Sequence, residues 1–431
     1  MIYFKENNHF FNEEKINSYE LVHIYPISPS EHSMGAKVFM RYVRSKFTGK
    51  QLSLLSIAIT NNFEIECHGL LHSEINSFLL VNKYKVLSEY IYRRVKYNKI
   101  CNSIKPVWIL VETDEKKKKI IIFSIPGIEH LQQYASLLTT AIIFLINYGR
   151  GVESYRKSVD FLENSRFYFY KNKQEEYTAT IGLDHFFKVN SLHRDTFVIS
   201  DITLETLRKK VAGFKINEYH LSEFSIIDVL AKDEKNKITF IMIKPSFWGS
   251  LAGQIAKTCM ENNNVSNIVY IAKLGAINKN INTFDIVNPN NFYLCESIMK
   301  NIDTLAPSIS NKLLEKYNIK STTHVSVPTV MEETTIKINY FSSMQIDTID
   351  NEISYIAKAI SKQNSLYECH VKFSCLHMVT DIPSSNIMGS LEDLVIDNNH
   401  LLSKTSFNYR KKKEIFHNTT IEILFDNFGI I

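Results

Sequence analysis

The sequence predicts an α/β protein in two parts: an α+β region over residues 1–195, then an α/β domain over 196–431 with a mixed, mainly parallel sheet flanked by helices. Three observations carry this. A chain of 431 residues exceeds one typical domain. In its first part, pairs of strand-like runs are each followed by helical periodicity. From about Thr196, short and continuously apolar runs alternate with helices, the pattern of strands covered on both faces. With 45% apolar and 22% charged residues, the composition excludes disordered and fibrous classes.

In the first part, Leu52 to Leu71 (LSLLSIAITNNFEIECHGLL) reads as two strands around an Asn61-Asn62 turn, and Val107 to Gly127 as two more around the charged tip Asp114 to Lys119. Lys116 to Lys119 are then a solvated hairpin end that discourages edge pairing. Ser73 to Tyr97 and Ile128 to Tyr148 carry helical periodicity. The apolar run Tyr134 to Tyr148 is about fifteen residues long where a membrane span needs roughly twenty, so a buried helix is expected. No spacing in this part names a chemistry.

Charge and cysteine usage narrow the function classes. Fifty Lys and Arg against 45 Asp and Glu leave a net charge of +5, too small and too evenly spread to point to nucleic acid. Cys67, Cys101, Cys259, Cys295, Cys369 and Cys375 form no CxxC pair, which argues against a disulfide framework or zinc ribbon and fits a reducing compartment. The N-terminus (MIYFKENNHFFNEEK) is polar where a signal peptide needs an apolar core, so cytoplasmic residence is expected.

In the second part, strands are expected at Phe197 to Ser200, Phe224 to Ala231, Thr239 to Ile243 and Asn267 to Ala272, with a helix from about Ser250 to Met260. Ligands of such sheets bind at the carboxyl ends of the strands, and three ends are informative. Asn267 to Pro289 breaks at Ala272-Lys273-Leu274-Gly275-Ala276 before a second short strand, Phe284 to Val287. There Gly275 permits close backbone approach and Lys273 offers a charge suited to phosphate or carboxylate, although a glycine after a strand is also an ordinary turn. Met344 to Ile360 runs from strand into helix with Asp350 and Glu352 at the junction. A carboxylate there suits a vicinal diol, and equally the positive end of a helix dipole. Glu368 to Asn386 is a long strand ending at Thr380-Asp381-Ile382-Pro383; Asp381 is placed either to donate a proton to a leaving group or simply to start a turn before Pro383.

Taken in order, Ala272 to Ala276, Asp285-Ile286-Val287, Asp350-Asn351-Glu352 and Thr380-Asp381 resemble the motifs of the nucleoside phosphorylase and nucleosidase superfamily, of the purine nucleoside and uridine phosphorylase type, over roughly residues 196 to 400. The resemblance implies cleavage of an N-glycosidic bond in a purine nucleoside or nucleotide through a ribosyl oxocarbenium-like transition state. Asp381 is then the general acid, Thr380 its orienting partner, Glu352 the ribose ligand and Asn351 a contact along the sugar or base. Lys273, Gly275, Ser246 and Gly249 line an anion or nucleophile site. Ser321 to Thr334 is similar to the family's segment over the base, which makes Pro328, Thr329 and Met331 base contacts and Glu332 or Glu333 a polar contact. Phe247 and Trp248 are candidates for stacking on a base or for the core. The resemblance further implies no cofactor beyond phosphate or water as co-substrate, and a homo-oligomer. The two-part plan is similar to that of AMP nucleosidases, which suggests that residues 1–195 regulate, oligomerise or recognise part of a substrate.

The chain also departs from the family pattern. Phe197 to Ile202 lacks the glycine of the family's first loop, leaving Ser200 and Asp201 in its place. Asn351 stands where methionine is common, and Lys273 breaks the usual Gly-rich turn. Phosphorolysis, hydrolysis and another nucleophile therefore all stay open, as do a biosynthetic reuse of the pocket and a divergent fold that binds a nucleoside-like ligand or a partner without turnover. A zinc site from Cys67, His68, Cys369, His370, Cys375, His377 and His324 is disfavoured, because one extended strand cannot build a tetrahedral cage. There is no G-x-S-x-G elbow for a serine hydrolase.

Overall fold

A computed structural model describes residues 46–71, 74–90, 106–148, 167–172, 175–190, 192–231, 237–243, 247–383 and 407–430, with isolated positions at 2–3, 19–22, 24, 32–33, 39, 42–43, 95–96 and 99–100. The chain divides into two compact units: residues 6–179, and residues 180–431 together with residues 1–5.

The 6–179 unit holds a six-stranded sheet. Its elements are β1 (Tyr19–Val22), α1 (Gly49–Asn61), β2 (Glu64–Gly69), α2 (Ile75–Val81), β3 (Lys85–Tyr90), β4 (Val107–Glu112), β5 (Lys118–Ser124), α3 (Ile128–Tyr148) and β6 (Phe167–Asn172), with strand order β1-β6-β2-β5-β4-β3. The β4–β5 hairpin stands where the sequence expects it, with its exposed tip over residues 114–118. Lys119 leaves the tip to pair with Glu64 and Glu66 on β2 at 2.9 and 2.8 Å.

Two expectations in this unit are corrected. Leu52 to Asn61 is helix and not strand, because Thr48 and Gln51 form a reciprocal capping box at its start and Asn62, at φ 57°, closes it in the left-handed region. A short apolar run has no period long enough to separate strand from helix, so the caps decide. In Ser73 to Tyr97 the helix stops at Val81; Lys83 turns at φ 53° and Lys85 to Tyr90 pairs antiparallel with β4.

The larger unit continues with α4 (Glu175–Val189), β7 (Thr196–Ser200), α5 (Leu204–Lys210), β8 (Lys215–His220), β9 (Phe224–Leu230), β10 (Lys237–Ile243), α6 (Ser250–Asn262), β11 (Asn267–Ala276), β12 (Ile286–Cys295), α7 (Asn311–Lys316), β13 (Lys320–Ser326), α8 (Thr335–Ser343), β14 (Thr348–Asp350), α9 (Ile353–Tyr367), β15 (Lys372–Asp381) and α10 (Phe407–Phe428). The sheet is mixed. β7 lies between β10 and β11 and is parallel to both, and β11 is parallel to β15. β8, β9 and β10 form an antiparallel meander, so Phe224 to Ala231 and Thr239 to Ile243 are hairpin neighbours and not parallel crossover strands. Five strands close on themselves: β11 pairs β14, β14 pairs β13, β13 pairs β12, β12 pairs β15, and β15 returns to β11.

The core of this unit lies between the sheet and α10: Val198, Val269, Ile271, Leu376 and Met378 pack against Phe416, Ile421, Leu424 and Phe425. Helices α6 and α9 approach closely at Gly253, where a Cβ would stand 2.7 Å from the Tyr355 carbonyl oxygen. Near the start of β7, the buried Arg194 grips Asp228 of β9 with two hydrogen bonds of 3.0 Å, and Thr239 donates to the same carboxylate at 2.7 Å. With both charges buried and fully paired, this anchor is structural.

Candidate active site

The carboxyl ends of β11, β13, β14 and β15 gather most of the residues singled out in the sequence. On β15, the Thr380 hydroxyl donates to Asp381 Oδ1 at 2.7 Å. The ladder between β11 and β15 slips one residue between Leu274 and Gly275, which sets Gly275 opposite Asp381. A Cβ on Gly275 would sit 3.2 Å from Pro383 Cδ, 3.3 Å from Ile349 Cγ2 and 3.4 Å from Asp381 Oδ2. The glycine thus leaves the Asp381 carboxyl the room it stands in.

At the junction of β14 and α9, the two acids have different surroundings. Asp350 is buried and accepts from the backbone N–H of Glu352 and of Ile353, both at 3.0 Å, which caps α9. Its Oδ1 also meets His324 Nε2 at 2.9 Å and the Ser326 hydroxyl at 2.5 Å, while His324 Nδ1 lies 2.9 Å from Thr348 Oγ1. Burial works against the charge of Asp350, and the His324 ring beside it, with the hydrogen bonds, holds its carboxyl below the usual range. Glu352 accepts a 3.3 Å bond from the Asn351 N–H and lies against the Asp350 carboxyl. Burial first, then the Asp350 carboxylate, push Glu352 well above the ordinary carboxylate range. The Asn351 side chain is engaged, donating to the Val327 carbonyl at 2.9 Å. Its carbonyl accepts from the N–H of Gly249, whose φ of 65° opens α6.

The segment after β13 makes one turn of 3-10 helix, Val330–Glu332, held by a 3.1 Å bond from the Met331 N–H to Thr329 Oγ1. Pro328, Thr329 and Met331 are all buried. The turn separates two adjacent acids that the sequence leaves equivalent. Glu332 faces outward in an ion pair with Lys337. Glu333 is 5% exposed, and its Oε2 has no hydrogen-bond partner among the described residues. Burial, then the charges of Asp381 and Asp350, raise Glu333 well above the usual carboxylate range. A buried acid with one carboxyl oxygen left unpartnered among the described residues, and within reach of the Asp381 charge, is a group with capacity left for a ligand.

The ends of β7 and β11 hold a different cluster. Asp201, just past β7, pairs with Lys273 of β11, with Lys413 Nζ at 3.2 Å and with His417 Nε2 at 3.3 Å. Lys273 is therefore not a free cation lining a pocket. Lys413 and His417 were not singled out in the sequence as site residues, and their only signal is an i, i+4 spacing on one helix. Ser200 is buried with an unpartnered hydroxyl among the described residues. Ser246 lies outside the described residues. Phe247 is buried and packs edge-on against Phe224, with centroids 5.9 Å apart, and so belongs to the core. His377 is buried beside Tyr270 and pushed down to about 3 by desolvation, so it stays neutral. No group of three or more His, Cys, Asp or Glu placed to hold a metal occurs among the described residues, and no helix there is long and apolar enough to cross a membrane.

No protein-family model and no curated protein matches the chain. Solved structures show a distant likeness over about half of it. The 5'-methylthioadenosine/S-adenosyl homocysteine nucleosidase of Campylobacter jejuni matches at TM-score 0.39 and 10% identity, over 53% of this chain and 98% of that one. Futalosine hydrolase of Helicobacter pylori gives 0.37 and 10%, over 54% and 99%. Uridine phosphorylase of Vibrio fischeri gives 0.39 and 10%, over 54% and 92%.

Proposed function

We propose that this chain cleaves, or transfers at, the N-glycosidic bond of a purine nucleoside or nucleotide, with water or phosphate as co-substrate and no cofactor. One observation carries the reading: the Asp381 carboxyl, oriented by the Thr380 hydroxyl and given room by Gly275, ends a strand in the same unit as two carboxyls that burial raises well above the usual carboxylate range, Glu352 and Glu333. Breaking the bond between C1′ and the base leaves an electron pair on the base nitrogen and positive charge on the sugar. Asp381 delivers the proton that makes the base a neutral leaving group. Glu352 holds the ribose hydroxyls, and the hydrogen bonds it accepts from them strengthen as the ring becomes cationic. Glu333 lies within electrostatic reach of Asp381, and the raised carboxyl, in its protonated form, offers the base edge a donor and an acceptor from one group. Pro328, Thr329 and Met331 supply the apolar wall that keeps water from the departing base.

The engagement of Lys273 by Asp201 favours a second reading, a pocket that binds a nucleoside-like ligand without turnover. Chromatography of free base separates the two. The substrates are adenosine, inosine, guanosine, uridine, methylthioadenosine and AMP, each with and without phosphate. Release from a purine substrate that is lost in Asp381→Asn supports cleavage. Saturable binding of the same compounds with no free base supports the second reading.

A further inference from the structure

Asp201 is the meeting point of three basic side chains from two elements. Lys273 reaches it from β11, while Lys413 and His417 come from consecutive turns of α10. The side chains of Asp201, Lys273 and Lys413 are each about a quarter exposed, at 28, 27 and 26%, so the cluster is sheltered yet open to small solutes. Two ammonium groups packed this closely repel each other and lose hydration, and such an arrangement persists only around an anion. Lys413 records the strain: desolvation, and beyond it the neighbouring Lys273 charge, bring it down to about 8 despite its contact with Asp201. One carboxylate thus stands against two ammoniums, with the His417 imidazole as a further donor. The oxygen pair of a carboxylate accepts from such donors in the same way as two oxygens of a phosphate.

We infer that Asp201 is a built-in anion: its carboxylate fills the place where Lys273, Lys413 and His417 would otherwise hold an external oxyanion such as inorganic phosphate, and the ribosyl acceptor is therefore water. The clause about the acceptor rests on the N-glycosidic reading above; the occupancy of the site by Asp201 does not. In the hydrolytic step the C1′–N bond breaks with its electron pair going to the base, the water oxygen bonds to C1′, and the water proton leaves to solvent, so no oxidant or reductant enters. Asp201 sets which nucleophile is admitted, as a specificity residue and not as a catalytic one.

The test is calorimetric titration of the full chain with inorganic phosphate, without nucleoside. The wild type is expected to show no saturable binding at millimolar phosphate. Asp201→Asn keeps the shape and removes the charge, and it should bind phosphate at least about tenfold more tightly. Adding Lys413→Met to that variant should abolish the gain. A folded Asp201→Asn protein that gains no binding overturns the proposal. Should circular dichroism show that Asp201→Asn does not fold, Asp201→Ser replaces it, and the wild type alone remains decisive: saturable phosphate binding that weakens in Lys413→Met overturns the proposal. Base release measured separately must be independent of phosphate, and a phosphate requirement also overturns it. Absence of any release refutes the N-glycosidic reading, while the titration still decides whether Asp201 fills an anion site.

Discussion

Lys273 and Gly275 stand two residues apart on β11, yet the regions they border treat charge in opposite ways. Around Lys273 a single carboxylate answers the basic groups: Asp201 gathers Lys273, Lys413 and His417, and although burial opposes its ionisation, the two lysines and the His417 hydrogen bond hold its carboxyl well below the usual range. Beyond Gly275 the acids outnumber the bases. Asp350 is satisfied by His324 and by the start of α9, whereas the half-buried Glu352 and the buried Glu333 have no ion-pair partner among the described residues, and both are raised well above the usual carboxylate range. The difference separates basic groups answered from within the chain from acids with capacity left for a ligand. A compensated cluster holds elements together, and buried acids without a compensating charge are kept at a cost in stability, which is the mark of a site awaiting a ligand.

The comparison can be broken at the acidic end first. Asp381→Asn should lower base release by about 10²–10⁴-fold, the usual range for loss of a positioned acid, with little change in thermal midpoint. A drop in stability equal to the drop in activity would instead make Asp381 a structural residue. Next in size is His324→Ala, which leaves Asp350 buried without its ring partner. Denaturant unfolding should show a loss of about 3–5 kcal/mol, as for other broken buried pairs, and a loss under about 1 kcal/mol would mean that the α9 cap alone satisfies Asp350.

Gly253→Ala comes third. Its Cβ would meet the Tyr355 carbonyl at 2.7 Å, so α6 and α9 must part, at about 1–3 kcal/mol. Because α6 begins at Gly249 and α9 at the Asn351–Glu352 junction, activity should fall with it.

The smallest effect sharpens the comparison through pH. Glu333 is raised in the folded protein, so the native state binds this proton more tightly than the unfolded chain does. Its contribution to stability is complete below the unfolded carboxyl pKa of about 4.3 and is lost as pH rises from there toward the folded value. Glu333→Gln removes the titration. Its thermal midpoint should therefore exceed that of the wild type by a few degrees at pH 8 and show no gain at pH 4; an equal shift at both pH values would contradict a protonated Glu333.

The strand ends were the most legible part of the sequence. Asp350-Asn351-Glu352 stands where a strand gives way to a helix and Thr380-Asp381 where a long apolar strand ends, and β14, α9 and β15 stand at those positions. Helix α1 was not legible as a helix, because LSLLSIAIT suits either period and only the capping box at Thr48 and the left-handed Asn62 decide it. The antiparallel meander of β8 to β10 was missed for a related reason: a continuous apolar run shows that a strand is covered, not which way its neighbour points. The cluster on Asp201 lies beyond local pattern altogether, since Lys413 and His417 are 212 and 216 residues away along the chain. The separate fates of Glu332 and Glu333 depend on a single turn of 3-10 helix that their two-residue sequence does not announce.

The central claim, that the carboxyl-rich end stabilises a cationic ribosyl group, is tested most directly by calorimetric binding of an iminoribitol, a ribose-like ring whose oxygen is replaced by a protonated nitrogen. The account predicts binding at least about 10²-fold tighter than that of the matching neutral nucleoside, as for transition-state mimics generally, and loss of that advantage in Glu352→Gln and Asp381→Asn. Equal affinity for the charged and neutral compounds, or an advantage untouched by both substitutions, would contradict it.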